Sequence, residues 1–203
     1  MPGGTSRAFI SRTEPDTYHG PMTVDLDSLR LVEYPAPVLR RKADPVERVN
    51  AEVRAVAVRM IEIMKAEEGI GLAAPQVGLP WRIFVSHVPP DAQRDAEGPL
   101  PTATKAPTVY INPKLTLSGP VESGEEGCLS LPEIRGEVIR PTVVTIEALD
   151  AEGVPFTASA TGLLARCWQH EYDHLDGVLI IDKMRQIDRL KNRLKIKDLE
   201  HHA

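Results

Sequence analysis

The sequence predicts an α+β fold. Apolar residues recur at helical spacing at residues 50–67 and 162–176, whereas short alternating runs, typical of antiparallel strands, lie between them. Helices and strands therefore occupy separate stretches of the chain, which favours α+β over a parallel α/β sheet. With 203 residues and no internal repeat, the chain is long enough to bury one substantial core.

The first half of the chain is predicted to contain an arm, a helix, a strand and a loop. Residues 1–22 are rich in Gly, Pro, Ser and Thr, and we expect a flexible arm there. A helix is predicted from Asn50, as its N-cap, to Glu67. Its buried stripe consists of Val53, Val56, Ala57, Met60, Ile61 and Met64. The apolar run 81–88 predicts a strand, and residues 89–107, with five prolines, predict a loop.

The second half is predicted to contain short strands followed by two helices. The strands are expected at residues 109–112, 115–117, 138–140, 143–148 and 156–158. The next helix begins after Thr161, a possible cap, and stops at Gly177. A last helix is expected over Asp182–Leu199. Its narrow apolar seam consists of Met184, Ile187, Leu190 and Leu194.

Composition and charge restrict the class of function. The net charge is −5, which disfavours a general binder of nucleic acid or of acidic membranes. No apolar stretch approaches the roughly 20 residues that span a bilayer, and no secretory signal is recognisable. Two cysteines do not make a disulfide framework. We therefore expect a cytoplasmic protein with free thiols, no membrane partner and no sequence-specific nucleic-acid partner.

The strongest chemical signal is the H-E-x-x-H motif that runs from His170 through Glu171 to His174. Residues four apart share one face of a helix, so both imidazoles can bind a single metal ion. Glu171 lies next to that face, where its carboxylate can accept a proton from water. The alternative is a pair of surface histidines on a charged helix.

A hydrolytic metal site needs a third protein ligand. The candidates are His19, His87, His201, His202, the two cysteines and several carboxylates. Cys128 stands out because a flexible glycine and a short apolar run surround it, although a buried, inert thiol is the usual alternative. Cys167 lies one turn before His170, and we expect it to pack beside the site rather than bind the ion.

The segment Gly69–Gly78 directly follows the first predicted helix. Two glycines separated by one residue let the backbone approach a ligand closely, and Gln76 is a possible donor to an oxyanion. The segment lacks the pattern of a phosphate or dinucleotide loop. Taken alone, it is best interpreted as a helix-to-strand connection.

Together these three segments resemble the peptide deformylase family. Gly69–Gln76 is similar to its G-x-G-L-A-A-x-Q motif, Glu126–Ser130 to its E-G-C-L-S motif, and His170–His174 to its H-E-x-x-H helix. The resemblance runs from about Leu29 to Met184. It implies short antiparallel sheets packed around a central helix that carries the H-E-x-x-H motif. Together with the composition of the two ends, it divides the chain into the flexible arm at 1–22, a catalytic domain at 23–184 and a basic helix and tail at 185–203.

The resemblance implies an enzyme that removes the formyl group from the N-terminal formyl-methionine of nascent polypeptides and releases formate. The implied metal ligands are Cys128, His170 and His174, and the implied acid/base is Glu171. Gln76 and the backbone N–H of Leu129 are implied to stabilise the oxyanion. The family metal is ferrous iron, and nickel, cobalt or zinc can replace it; a Cys-His-His set suits all of these ions.

The resemblance also implies an apolar pocket for the methionine side chain. Its candidate residues are Ile70, Gly71, Leu163, Arg166 and Cys167. Arg166 departs from the aliphatic residue often found there, and Gly124 stands where some relatives have a larger apolar residue. The stem of Arg166 can line the pocket while its guanidinium reaches solvent or an acid.

Two questions remain open at this level. The segment 183–197 has seven basic residues and one acid, and it is either a solvated face or a surface that docks on the ribosome through RNA phosphates. The rival functions are an H-E-x-x-H metalloprotease that cleaves within a chain, and a non-enzymatic relative with a closed structural metal. Cys128 and the Gly69–Gln76 segment argue against the first, and an intact Glu171 argues against the second.

Overall fold

The computed structural model describes residues 23–90 and 99–201, so the arm predicted at 1–22 lies outside the described residues. Five antiparallel strands form one sheet in chain order. They are β1 Gly71–Ala73, β2 Ile83–Ser86, β3 Thr108–Cys128, β4 Leu131–Leu149 and β5 Pro155–Thr161. The helices are α1 Ala51–Ala66, α2 Gly162–Leu175, α3 Ile180–Lys183, α4 Gln186–Lys191 and α5 Arg193–His201. The α+β prediction is confirmed.

Strands β3 and β4 are far longer than the short strands that the sequence predicts. The predicted strands 109–112 and 115–117 end before Pro113 and before Gly119-Pro120, but the ladder of the structure continues past both. Its register shifts between Ile111 and Lys114 and again between Ser118 and Val121. These irregularities accommodate the prolines, which cannot donate to a regular ladder. The long hairpin brings Cys128, at the end of β3, back toward the helices.

Helix α1 begins as predicted. The side chain of Asn50 accepts a hydrogen bond from the backbone N–H of Val53, which caps the first turn. The buried stripe agrees with the prediction in all but one position, since Ile63 is buried and Ile61 is only half-buried. This stripe packs against β2 and covers one part of the core.

Helix α2 is the central helix that positions the site. It follows Thr161, whose hydroxyl donates to the Thr142 carbonyl instead of capping the helix, and it is followed by Gly177 at φ 72°. The helix packs against β4, β1 and β5. Its Trp168 is buried against Tyr110 and donates to the tyrosine hydroxyl at 3.0 Å. Burying that face fixes the rotation of α2, and with it the direction of the two histidines.

The prediction of a single helix at 182–199 is wrong, because the chain forms the three short helices α3, α4 and α5. Met184 and Arg185 leave the helix to pair with β4: Met184 lies opposite Val138, and the Arg185 N–H donates to the Glu137 carbonyl. The predicted seam also fails beyond Met184. Ile187, Leu190 and Leu194 are 56%, 56% and 65% exposed. Within the described residues no helix is both long and apolar enough to cross a bilayer.

Candidate active site

Cys128, His170 and His174 converge where the end of β3 meets α2. The ligand atoms of all three lie within 4.8 Å of one another, and they form the one such group among the described residues. His174 Nε2 is 3.3 Å from Cys128 Sγ and 3.2 Å from His170 Nε2. The two histidines are neighbours because they lie four residues apart on one helix.

This cluster fits a metal ion. Ordinary bond lengths of about 2.0–2.1 Å to nitrogen and 2.3 Å to sulfur, in a tetrahedral arrangement, separate the ligand atoms by about 3.3–3.6 Å. Burial lowers the pKa of His174 well below its ordinary value, so its imidazole is neutral and has a lone pair to offer. The other histidines that the sequence offered as ligands lie away from this cluster or outside the described residues. His87 contacts Thr104, His201 is exposed, and His19 and His202 lie outside the described residues.

Glu171 is buried beside the cluster. Its Oε2 atom has no hydrogen-bond partner among the described residues, and its Oε1 atom lies against Gly71. Burial raises the pKa of Glu171 to about 7. A carboxylate with this pKa and a free oxygen can both accept and return a proton near neutral pH.

Gln76 is buried on a 3-10 turn, Ala74–Val77, and its amide is held at both ends. Its Oε1 accepts from the Ala73 N–H at 2.8 Å, so Nε2 points toward Cys128 Sγ at 3.6 Å and Ser130 Oγ at 3.4 Å. Leu129, directly after Cys128, lies at the edge of the same space, where a Cβ on Gly69 would be 2.8 Å from its Cδ1. A polar donor thus faces the metal cluster from the β1 side.

A cavity of about 580 Å³ joins these residues. Its lining includes each residue that the sequence assigned to the substrate pocket. These are Ile70, Gly71, Leu163, Arg166 and Cys167. Cys167 Sγ lies 3.5 Å from the Ile70 carbonyl, and burial raises its pKa well above the ordinary value, so this thiol is neutral. The structure therefore places Cys128, and not Cys167, in the group with His170 and His174.

Arg166 turns its guanidinium away from solvent. The group donates to Glu126 Oε1 at 2.8 Å and lies over Gly124, which has no side chain to obstruct it. The sequence left open whether the guanidinium of Arg166 reaches solvent or an acid, and in the structure it reaches the acid Glu126. The two unusual residues of the predicted pocket are thus in contact with each other.

Sequence reasoning missed a buried network behind the histidines. Glu126 accepts hydrogen bonds from Arg140 on both oxygens, and its Oε2 lies 3.1 Å from His170 Nδ1. Burial alone would raise the pKa of Glu126, but the hydrogen bonds from Arg140 and His170 outweigh it and hold the pKa well below its ordinary value. Arg140 also pairs with Asp173, which pairs with Lys183. A charged residue on the buried face of a predicted strand, as Arg140 is, was the available signal.

Comparison with known proteins decides the family. The sequence model of the polypeptide deformylase family matches residues 28–190. The chain belongs to this family. It is 44% identical over 160 residues to the peptide deformylase of Rhizobium meliloti (strain 1021), covering 78% of this chain and 86% of that protein. It is also 44% identical over 168 residues to the enzyme of Agrobacterium fabrum, covering 82% and 91%.

Solved structures of family members share the fold. Peptide deformylase from Plasmodium falciparum superimposes with a TM-score of 0.76 at 36% identity, covering 85% of this chain and 96% of that chain. The Ehrlichia chaffeensis enzyme gives a TM-score of 0.76 at 33% identity, covering 86% and 96%. As a member of the peptide deformylase family, the chain is an enzyme, a metal-dependent hydrolase. Membership of the family supports neither of the two rival functions, the metalloprotease that cleaves within a chain and the non-enzymatic relative with a structural metal.

Proposed function

We propose that this enzyme hydrolyses the N-formyl group from the N-terminal formyl-methionine of nascent polypeptides and releases formate. The observation that carries the proposal is the unpartnered carboxylate oxygen of Glu171, buried beside the Cys128, His170 and His174 cluster in a cavity that admits a side chain. The curated relatives, named peptide deformylases, support the same reaction.

Cys128, His170 and His174 are proposed to hold the ion, and ferrous iron is the expected metal, with nickel, cobalt or zinc as substitutes. When bound, such an ion supplies Lewis acidity, which polarises a carbonyl and makes water acidic enough to react near neutral pH. Three protein ligands leave room for that chemistry, unlike a closed structural site. Glu126 fixes the ring of His170 through Nδ1 and leaves Nε2 for the ion.

Glu171 is proposed as the general base and acid. Its free Oε2 atom accepts the proton of the attacking water and then returns it to the amine that leaves with the peptide. The other oxygen lies close to the backbone of Gly71, where no side chain displaces the carboxylate. The raised pKa of about 7 suits both halves of this proton transfer.

Gln76 and Leu129 are proposed to stabilise the oxyanion that develops on the formyl oxygen. The side-chain amide of Gln76 and the backbone N–H of Leu129 are the donors. The hydrogen bond from the Ala73 N–H to Gln76 Oε1 fixes which end of that amide faces the cluster. Loss of one such donor typically costs about 3–4 kcal/mol of transition-state stabilisation.

The methionine side chain is proposed to enter the apolar part of the cavity, beside Ile70, Leu163 and Cys167. The stem of Arg166 completes this wall, and the backbone at Gly71 is proposed to pair with the peptide. These side chains give the cavity an apolar lining that suits a thioether.

The test is formate release from formyl-Met peptides by anaerobically purified enzyme, with metal measured on the same sample. Anaerobic handling matters because ferrous iron and a thiolate ligand both oxidise. We expect formate and a free N-terminal methionine in equal amounts. An N-acetyl-Met peptide is the control. Internal cleavage of the peptide without formate would contradict the proposal.

The cellular setting is also a proposal. We propose a cytoplasmic enzyme, which agrees with two free cysteines, and a catalytic domain at 23–184 followed by a C-terminal segment at 185–203. The seven basic side chains at 183–197 are all exposed, which supports docking on the ribosome as one role of this segment. Co-sedimentation with ribosomes at low and high salt tests it, with a solvated face as the other outcome.

A further inference from the structure

Gly124 and Arg166 interlock. A Cβ atom on residue 124 would lie 2.8 Å from Arg166 Cζ and 2.9 Å from its Nη2, closer than real contacts of this kind. The Arg166 side chain is 16% exposed and lies against the backbone of β3. The lack of a side chain at residue 124 is therefore what admits the guanidinium.

Arg166 is held by acceptors on two strands. Its Nη1 donates to Glu126 Oε1 at 2.8 Å and to the Val138 carbonyl at 2.9 Å, and its Nη2 donates to the Glu122 carbonyl at 3.1 Å. A guanidinium is planar and its donors have fixed directions, so three acceptors select one conformation. This arrangement ties α2 to both β3 and β4.

The carboxylate of Glu126 connects Arg166 to the metal site. Oε1 accepts from Arg140 Nε and Arg166 Nη1, while Oε2 accepts from Arg140 Nη2 and lies 3.1 Å from His170 Nδ1. Each oxygen thus has two partners, and the carboxylate cannot rotate without breaking a bond. Without Arg166, Oε1 keeps a single partner, and the acceptor that orients His170 is held less firmly.

We infer that Arg166 is a positioning residue, which acts through Glu126 to keep His170 Nε2 directed at the metal. This inference rests on the metal site of the proposed function. Residues that support a ligand in this way typically change metal affinity by about 10–100-fold when they are lost. The same side chain also lines the cavity, so its effect on the metal must be separated from its effect on substrate.

Arg166→Met separates the two effects, because it keeps an unbranched stem and removes the guanidinium. We expect Co²⁺ affinity, measured by chelator competition and the visible absorption of the bound ion, to fall about tenfold. KM for formyl-Met peptides stays close to that of the unaltered enzyme, and Arg166→Lys recovers part of the affinity. The control is Arg135→Met: Arg135 lines the same cavity but is exposed and 3.9 Å from Glu125, so Co²⁺ affinity is unchanged.

Gly124→Ala tests the interlock without altering a charge. The added methyl group displaces the guanidinium, so we expect the same loss of Co²⁺ affinity as in Arg166→Met, and no further loss in the double variant. Additive losses in the double variant would contradict the inference.

Unchanged Co²⁺ affinity in Arg166→Met would overturn the inference. If KM alone rose, Arg166 would act on substrate only, as part of the cavity wall. If only the unfolding temperature fell, it would act only as a brace between α2 and the sheet. Formate release by the unaltered enzyme is recorded in parallel. Normal Co²⁺ binding without formate would contradict the proposed function and leave the comparison of affinities valid.

Discussion

Gly71 lies so close to Glu171 that a Cβ atom on residue 71 would be 2.3 Å from the carboxylate oxygen Oε1. It would also be 2.8 Å from Cys167 Sγ. Any side chain on residue 71 would displace the proposed base, Glu171, so the position requires glycine. This requirement is separate from any contact that the Gly71 backbone makes with substrate. Residue 71 is on β1 and Glu171 on α2, so this contact also sets how closely the helix approaches the sheet edge.

Gly71→Ala is expected to lower kcat by about 100-fold, because moving a reacting group by about 1 Å has an effect of that size. The added methyl group pushes the Glu171 carboxylate away from its present position. Metal content should stay normal, since the atoms nearest to the added methyl group belong to Glu171 and Cys167, neither of which is a proposed ligand. Steady-state formate release and metal analysis on one sample check this. Full activity in a folded variant would show that the carboxylate tolerates the shift.

Glu171→Gln is expected to bind metal normally and to release formate about 10²–10⁴-fold more slowly. The amide keeps the size of the side chain but cannot accept the proton of the attacking water. The measurement is kcat with metal per chain determined in parallel. Normal metal content together with undiminished activity would contradict the assigned base.

Local patterns predicted α2 and its two histidines well, because four-residue spacing on one helix depends on no other part of the chain. Pairings between strands far apart in the sequence were harder to predict. The predicted strands 109–112 and 115–117 are parts of the single strand β3, which passes Pro113 and Pro120 with shifts of register. The position of Cys128 next to His174 follows from that continuous hairpin, so residue spacing alone left several third ligands open.

The sequence could signal a buried charge at Arg140, but it could not predict which residues pair with one another behind the histidines. Glu126 meets Arg140 across β3 and β4, at a separation of 14 residues, and Arg166 on α2 at a separation of 40. No periodic pattern links positions on three elements. The exposed side chains of Ile187 and Leu190 show the converse limit: an apolar spacing typical of a buried seam does not ensure that anything covers it.

Cys128→Ser is expected to lower metal content strongly, because a hydroxyl is a far poorer ligand than a thiolate for these ions. Cys167→Ser is the matched control, a buried thiol one turn from His170 that lies outside the cluster, and it should retain metal. Metal per chain after anaerobic purification decides between them. The reverse result would exchange the two assignments.

Glu126→Gln is expected to lower the free energy of unfolding by about 3–5 kcal/mol, because it removes the charge that pairs with both ends of the buried Arg140 guanidinium and leaves Asp173 as its one acidic partner. The two side chains are only 5% and 4% exposed, so water cannot replace the lost interaction. The neighbouring Glu125→Gln is the control: Glu125 is 63% exposed and 3.9 Å from Arg135, and such pairs contribute about 0–1 kcal/mol. Urea unfolding of both variants in chelator, which removes any effect of bound metal, makes the comparison. Equal shifts in the two variants would mean that the Glu126 network orients His170 without stabilising the fold.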